Sequence, residues 1–354
     1  VCPITGKTFL EVQDFAFWAT KELRFVRHYN SKRSDVSGSF GFGWTHPFGW
    51  RLIERRRAVH VYDERGDRQK FRRPVDGGDA SLHPFGWTLT RVGALYRLTK
   101  PEGESLTFER HPRTGVFLLR SIEDVRGNAT LIFYDEHGRF CGLQDSEGRP
   151  FRAQLDEFGR VVRFQVATDP AQQGWLDLGH YRYDERGDLV EFIDAAGFSW
   201  VYRYHNHLMV EHRTGGGLSY MYVYDGETKE AYCVESWGEY VGRDDPALLV
   251  PISARQNAAD PLASRVKGIN YVRFTYVKEQ FYSEVENGLG GVTAYFGDSF
   301  GRVVKKVKPN GAVEERSYDA DSGVTDSYPG AESQVPGAPA PGPLLNGAGV
   351  PSGF

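Results

Sequence analysis

The sequence predicts an all-β fold, a curled antiparallel sheet of short hairpins, and three observations carry that expectation. The first is a repeated turn. Asp-x-x-Gly recurs, among other places, at Asp63, Asp124, Asp135, Asp145, Asp156, Asp184, Asp194 and Asp298, where 23 Asp and 41 Gly in 354 residues would give about three copies by chance. Asp suits the first position of a type I turn because its side chain accepts backbone N–H groups just ahead. Gly suits the fourth, where φ is often positive. The second observation is spacing: Asp124, Asp135, Asp145 and Asp156 step by 11, 10 and 11 residues, so a unit of two hairpins is 21 residues long. Asp298 to Asp319 is again 21, and a fixed period of this kind marks a repeat architecture. The third is alternation. In Tyr181 to Tyr204, the runs between the turns are aromatic and β-branched, and Phe198, Trp200, Tyr202 and Tyr204 fall on one face of a strand.

Composition agrees. Aromatic residues make up 14% of the chain, with 23 Phe and 19 Tyr against 2 Met, a balance suited to half-buried pleated strands. The formal charge is −4 with no long run of one sign, which argues against a general nucleic-acid or membrane binder. Three scattered cysteines, Cys2, Cys141 and Cys233, do not make a disulfide framework. No apolar run is long enough for a transmembrane helix, and no Sec-type leader is visible.

Taken in order, residues 1–50 form an aromatic segment punctuated by Gly38, Gly41 and Gly43, read as a cap. Residues 51–328 form the hairpin array. Within it, residues 51–73 hold nine basic against four acidic side chains, read as arginines on the polar faces of alternating strands rather than a nucleic-acid surface. Insertions are expected near 166–180, where Asp156 to Asp184 is seven residues longer than the unit, and near 226–270, where Asp244-Asp245-Pro246, Pro251 and Asp260-Pro261 break the pattern. Leu248 to Val250 reads equally as helix or strand. Residues 329–354, with six Pro, six Gly and one charged residue, read as a flexible linker.

Two groups of residues carry a family resemblance. Tyr62-Asp63, Tyr134-Asp135, Tyr183-Asp184 and Tyr318-Asp319 resemble the YD repeats of Rhs-type proteins. Asp14-Phe15, then Arg27-His28-Tyr29-Asn30-Ser31, then Gly41-Phe42-Gly43-Trp44-Thr45-His46, resemble the segment that opens bacterial Rhs shells. One departure is Ala19-Thr20-Lys21, which stands where that segment commonly has a Pro-Gly turn. The resemblance implies the first part of a hollow shell that holds a C-terminal toxin, made in the bacterial cytoplasm and secreted or delivered into target cells, often by type VI secretion. Expected partners are the rest of the shell, the toxin, in the same chain or another copy, and a spike-tip domain. The site residues it implies are structural. They are the turn pairs Asp63/Gly66, Asp135/Gly138, Asp156/Gly159, Asp184/Gly187, Asp194/Gly197 and Asp298/Gly301, and the cap residues Arg27, Tyr29, Gly43, Trp44 and His46. Trp44 and Tyr29 are expected to be buried.

No phosphate loop, dinucleotide fingerprint or His-Glu-x-x-His motif is present. His205 and His207 sit two apart, which puts both on one face of a strand as a plausible metal pair, but a third ligand is lacking. Asp319-Ala-Asp321-Ser-Gly323 departs from a calcium loop, with its Gly one place early and Gly330 where a bidentate Glu is needed. We therefore expect no catalytic residue, cofactor or metal. A carbohydrate-binding surface module is the alternative reading, and a glycoside-acting enzyme with paired carboxylates a second.

Overall fold

The computed structural model describes residues 1–76, 81–82, 86–169, 171–240 and 269–318. Among these the chain is almost wholly antiparallel β-sheet, with 3-10 turns at Ser31–Arg33 and Lys278–Gln280. The main sheet is a meander. From Ser81–Leu82 and Thr88–Val92 to Val313–Glu315, each described strand pairs with its neighbours in sequence. Three earlier strands, Arg51–Glu54, Ala58–Tyr62 and Arg68–Arg72, form a branch. The branch joins at Phe117–Glu123, where Phe117 pairs with Leu52 while Ser121 pairs with Leu131 of the next hairpin. The sheet does not close into a barrel, since Val313–Glu315 pairs with Val303–Val307 alone among the described residues.

In a meander, successive turns fall on opposite edges, so every second hairpin turns on the same side. The two edges differ here. Hairpins turning at Asp135, Asp156, Asp184, Asn206, Asp225 and Asp298 each carry a register shift one or two residues inside the turn. Those turning at Asp124, Asp145, Asp194, Thr214, Asn287 and Lys308 carry none there. A bulge adds a residue to one strand, bends it and raises the local twist. Repeated along one edge, though absent from the hairpin turning at Lys278–Gln280 there, it favours coiling of the sheet.

A second, three-stranded sheet comes from the N-terminal segment: Phe9–Phe17 pairs with Leu23–Asn30, which pairs with Trp44–Thr45. It lies on one face of the meander, and the core is the aromatic layer between them. Phe15 packs on Phe164 at 5.0 Å, Phe25 on Phe164 at 5.0 Å and Phe40 on Tyr181 at 5.0 Å. Withdrawing side chains of this size from water contributes about 1.5–3 kcal/mol each, so this layer is the main attraction holding the segment to the sheet.

Two expectations are corrected, the 226–270 insertion and the placing of Phe198. The insertion expected over 226–270 is narrower, because Cys233–Tyr240 continues the array in register with Leu218–Tyr224, and Ile269–Val277 pairs back onto it. Its breakers fall in 241–268, outside the described residues, as do Leu248 to Val250, the Asp319 motif and the 329–354 linker. The excess near 166–180 is a loop across 168–174 between Val161–Ala167 and the long strand Trp175–Tyr183, closed by Thr168 N–H to the Gly174 carbonyl. Phe198 is exposed rather than on the buried face, because it is the residue just after the Asp194–Gly197 turn; Tyr202 on the same strand is fully buried. In Arg68–Arg72, Arg68, Lys70 and Arg72 are exposed and Gln69 and Phe71 are buried.

Candidate functional site

With no cluster of catalytic type expected, the candidate site is the structural junction where the N-terminal segment meets the turns. The turns come first. In each, the Gly N–H bonds the Asp carbonyl, and the Asp Oδ1 accepts N–H groups two and four residues ahead. At Asp184 these are Arg186 at 3.0 Å and Asp188 at 2.9 Å. Gly66, Gly138, Gly159, Gly187, Gly197 and Gly301 all have φ between 78° and 89°, the left-handed region that Gly enters without a Cβ penalty. Where Arg follows the Gly, its Nε bonds the second Asp oxygen at 2.6 or 2.7 Å, as in Asp135–Arg139, Asp156–Arg160 and Asp298–Arg302. Arg160 then lies between the exposed turn residue Phe158, at 4.9 Å, and Tyr183 of the next turn on that edge, at 4.5 Å. Arg302 sits likewise between Phe300 and Tyr318.

The tyrosines have a second task. A bulge leaves a carbonyl out of the ladder, and here a later Tyr hydroxyl donates to it. Tyr183 bonds the Val161 carbonyl at 2.7 Å, Tyr224 that of Met209 at 2.9 Å, Tyr276 that of Cys233 at 2.8 Å and Tyr318 that of Val303 at 2.8 Å. All four acceptor residues are buried, where an unpaired carbonyl costs about 1–3 kcal/mol.

The N-terminal segment is fixed around Arg27. Its Nε and Nη2 bond the two oxygens of Asp14 at 2.6 and 2.9 Å, and both side chains are fully buried. Tyr181 of the main sheet donates to Asp14 at 2.7 Å, and Arg27 reaches the Tyr202 hydroxyl at 3.4 Å. The guanidinium also faces the rings of Trp44 at 4.7 Å, Phe192 at 4.9 Å and Tyr181 at 5.3 Å. Burial opposes both charges, and the paired oxygens of Asp14 outweigh it, holding Arg27 well above the ordinary arginine value. A planar cation boxed by rings and gripped at two oxygens has one orientation available, so the pair sets where the segment sits.

The other cap residues join it. Trp44, buried, donates its indole N–H to Tyr204 at 2.8 Å. Tyr29, also buried, donates to the His207 carbonyl at 3.0 Å and accepts the Met209 N–H at 2.8 Å, closing a turn in which Asn206 and His207 have positive φ. Gly43 passes so close to the Tyr29 ring that a Cβ would lie 2.6 Å from it. His46 is buried between Phe25 and Phe140, and burial, then the neighbouring His28, lowers its pKa to about 3, so it is a neutral ring. The Ser39 carbonyl accepts the N–H of Val161 at the Asp156 bulge.

The structure thus joins two groups of predicted residues, the cap segment and the turns at Asp63, Asp156, Asp184 and Asp298: Arg33 donates to the Gly66 carbonyl and a Cβ on Gly301 would lie 2.7 Å from Thr5, whereas nothing lies within 4 Å of a Cβ on Gly197 of the Asp194 turn. His205 and His207 do not share a strand face. The strand ends at His205, and His207 lies in the turn, its Nδ1 2.9 Å from Asp188 and its ring stacked on Phe42 at 3.8 Å. Sequence reasoning missed Tyr181, Tyr202 and Tyr204 as partners of the cap; their strand alternation placed them on one face, but nothing local names what they face. Among the described residues no group of three or more His, Cys, Asp or Glu could hold a metal, and no helix is long and apolar enough to cross a membrane.

Comparison with known proteins adds to this. Residues 1–71 match a family described as a domain of unknown function, DUF6531. The chain is 26% identical over 272 residues to Toxin protein Tse5 of Pseudomonas aeruginosa, covering 64% of this chain and 20% of that protein. It is 27% identical over 218 residues to Double-stranded DNA deaminase toxin A of Burkholderia cenocepacia, covering 60% of this chain and 15% of that protein. It therefore spans a fifth or less of the length of these curated relatives. Among solved structures, the TcdB2-TccC3-TEV crystal structure aligns over 88% of this chain and 19% of its own, at 10% identity and a TM-score of 0.37. The Photorhabdus luminescens Tc holotoxin pore aligns over 88% of this chain and 20% of its own, at 10% identity and a TM-score of 0.29. The sequence matches and the motifs together support an Rhs-type toxin protein.

Proposed function

We propose that this chain is a structural shell segment of an Rhs-type toxin-delivery protein, whose sheet encloses a C-terminal toxin that delivery machinery, of the type VI class, carries into a competing cell. In this reading the chain has no catalytic turnover of its own, and its partners are further shell, the toxin and a spike-tip domain. One observation carries it: the long meander has bulges repeated on one edge, a device that bends a sheet, while the N-terminal segment covers part of one face. A sheet that coils without closing bounds a space rather than filling one, and among the described residues no strand covers the outer edge of Val313–Glu315.

The test is limited proteolysis of the polypeptide as its gene encodes it. The expectation is that sequence downstream of the array resists protease in the native protein and is digested once the shell is unfolded in mild denaturant. Digestion of that downstream sequence at the same rate in the native protein and in isolation would overturn enclosure.

A further inference from the structure

A cavity of about 330 Å³ opens where the Ser37–Phe42 hairpin, the start of Arg51–Glu54 and the turn ends at Gly66, Gly138 and Gly159 meet. Its walls carry three arginines, Arg33, Arg51 and Arg139, against one carboxyl, Asp63. Arg139 is neutralised by Asp135 at 2.6 Å. The Asp63 carboxyl is taken up by its own turn, accepting the N–H groups of Arg65 and Asp67. Arg33 gives one N–H to the Gly66 carbonyl and forms no ion pair among the described residues. Arg51 lies over the Tyr62 ring at 4.6 Å, and its guanidinium has neither ion pair nor hydrogen bond among the described residues. Burial, and then the charge of Arg33, pulls Arg51 below the ordinary arginine value, so the two cations work against each other.

Two unneutralised guanidinium groups lining one cavity are an unbalanced set, and an acceptor carrying negative charge completes it.

We propose that this cavity binds one small oxyanion, a phosphate or a carboxylate group, between Arg33 and Arg51. The volume suits a group of that size with water around it. The site lies outside the Arg27 junction and does not depend on the shell reading.

Calorimetric titration of the whole chain with sodium phosphate, and separately with sodium acetate, at fixed ionic strength tests this. The expected result is saturable one-to-one binding of at least one anion, weakened about tenfold or more by Arg51→Gln and by Arg33→Gln. Arg203→Gln, at an exposed arginine remote in sequence, should bind as the wild type does. Preference between the two salts identifies the oxyanion class. If Arg51→Gln fails to fold by circular dichroism, Arg33→Gln alone decides. No saturation with either salt, or unchanged binding in the folded arginine variants, overturns the proposal.

Discussion

Replacing glycine by alanine is expected to cost different amounts at Gly43 and Gly197, although φ is positive at both. At Gly197 nothing lies within 4 Å of the new Cβ, so only the backbone penalty applies, about 1 kcal/mol. At Gly43 the Cβ meets the buried Tyr29 ring at 2.6 Å, and overpacking adds roughly 1–3 kcal/mol. Thermal unfolding of Gly43→Ala and Gly197→Ala should show that order; equal losses would mean the close approach to Tyr29 does not matter. Aspartates of the turns diverge in the same way. Burial pulls Asp135 and Asp298 upward, but the backbone N–H groups and Arg partners hold both below the ordinary carboxylate value. Asp63 has Asp67 where those turns have Arg. Burial, then the charges of Asp67 and Glu64, raises its pKa to about 7. A carboxyl whose folded pKa lies above its unfolded value contributes most in acid, and the contribution fades as pH rises toward 7. Asp63→Asn should therefore stabilise the fold by on the order of 1–3 kcal/mol at pH 8 and by little near pH 4, read from denaturant midpoints at both.

At the scale of the hairpin, the turns were legible in the sequence and their linkage was not. Asp-x-x-Gly is a local signal, because the Asp oxygens and the Gly φ act within five residues. What the Tyr before the Asp does depends on a carbonyl 15 residues back for Tyr318 and 22 back for Tyr183, freed by a bulge that no residue type announces. Cap residues were legible as a group for the opposite reason, being dense in one stretch, yet Tyr181 and Tyr202 gave no sign that they face Arg27. Tyr183→Phe isolates the linkage. It keeps the ring on Arg160 and removes the hydroxyl from the Val161 carbonyl, at an expected cost of about 1–2 kcal/mol. Faster hydrogen exchange around the Asp156 turn should accompany the loss; uniform exchange across the sheet would argue that the bond is incidental.

Over the whole molecule, the Arg27–Asp14 pair decides whether segment and sheet behave as one body. Removing one partner strands a buried charge, so Arg27→Met should cost about 3–5 kcal/mol. Asp14→Leu with Arg27→Met should recover much of that loss in a double-mutant cycle, because no charge is left without its partner. If the double variant is as unstable as the single, the rings around Arg27 matter more than its charge. The bulged edge carries a different consequence, one of parity. Each hairpin reverses the edge on which the next turn falls, so the Tyr hydroxyls meet their bulges only if units are gained or lost in pairs. One added hairpin, 10 or 11 residues, would move every later Tyr-Asp turn to the wrong side. Between Asp156 and Asp184 the chain carries its extra length in a loop across 168–174 on the opposite edge, and Tyr183 still reaches Val161. Length can grow there because the number of reversals stays even.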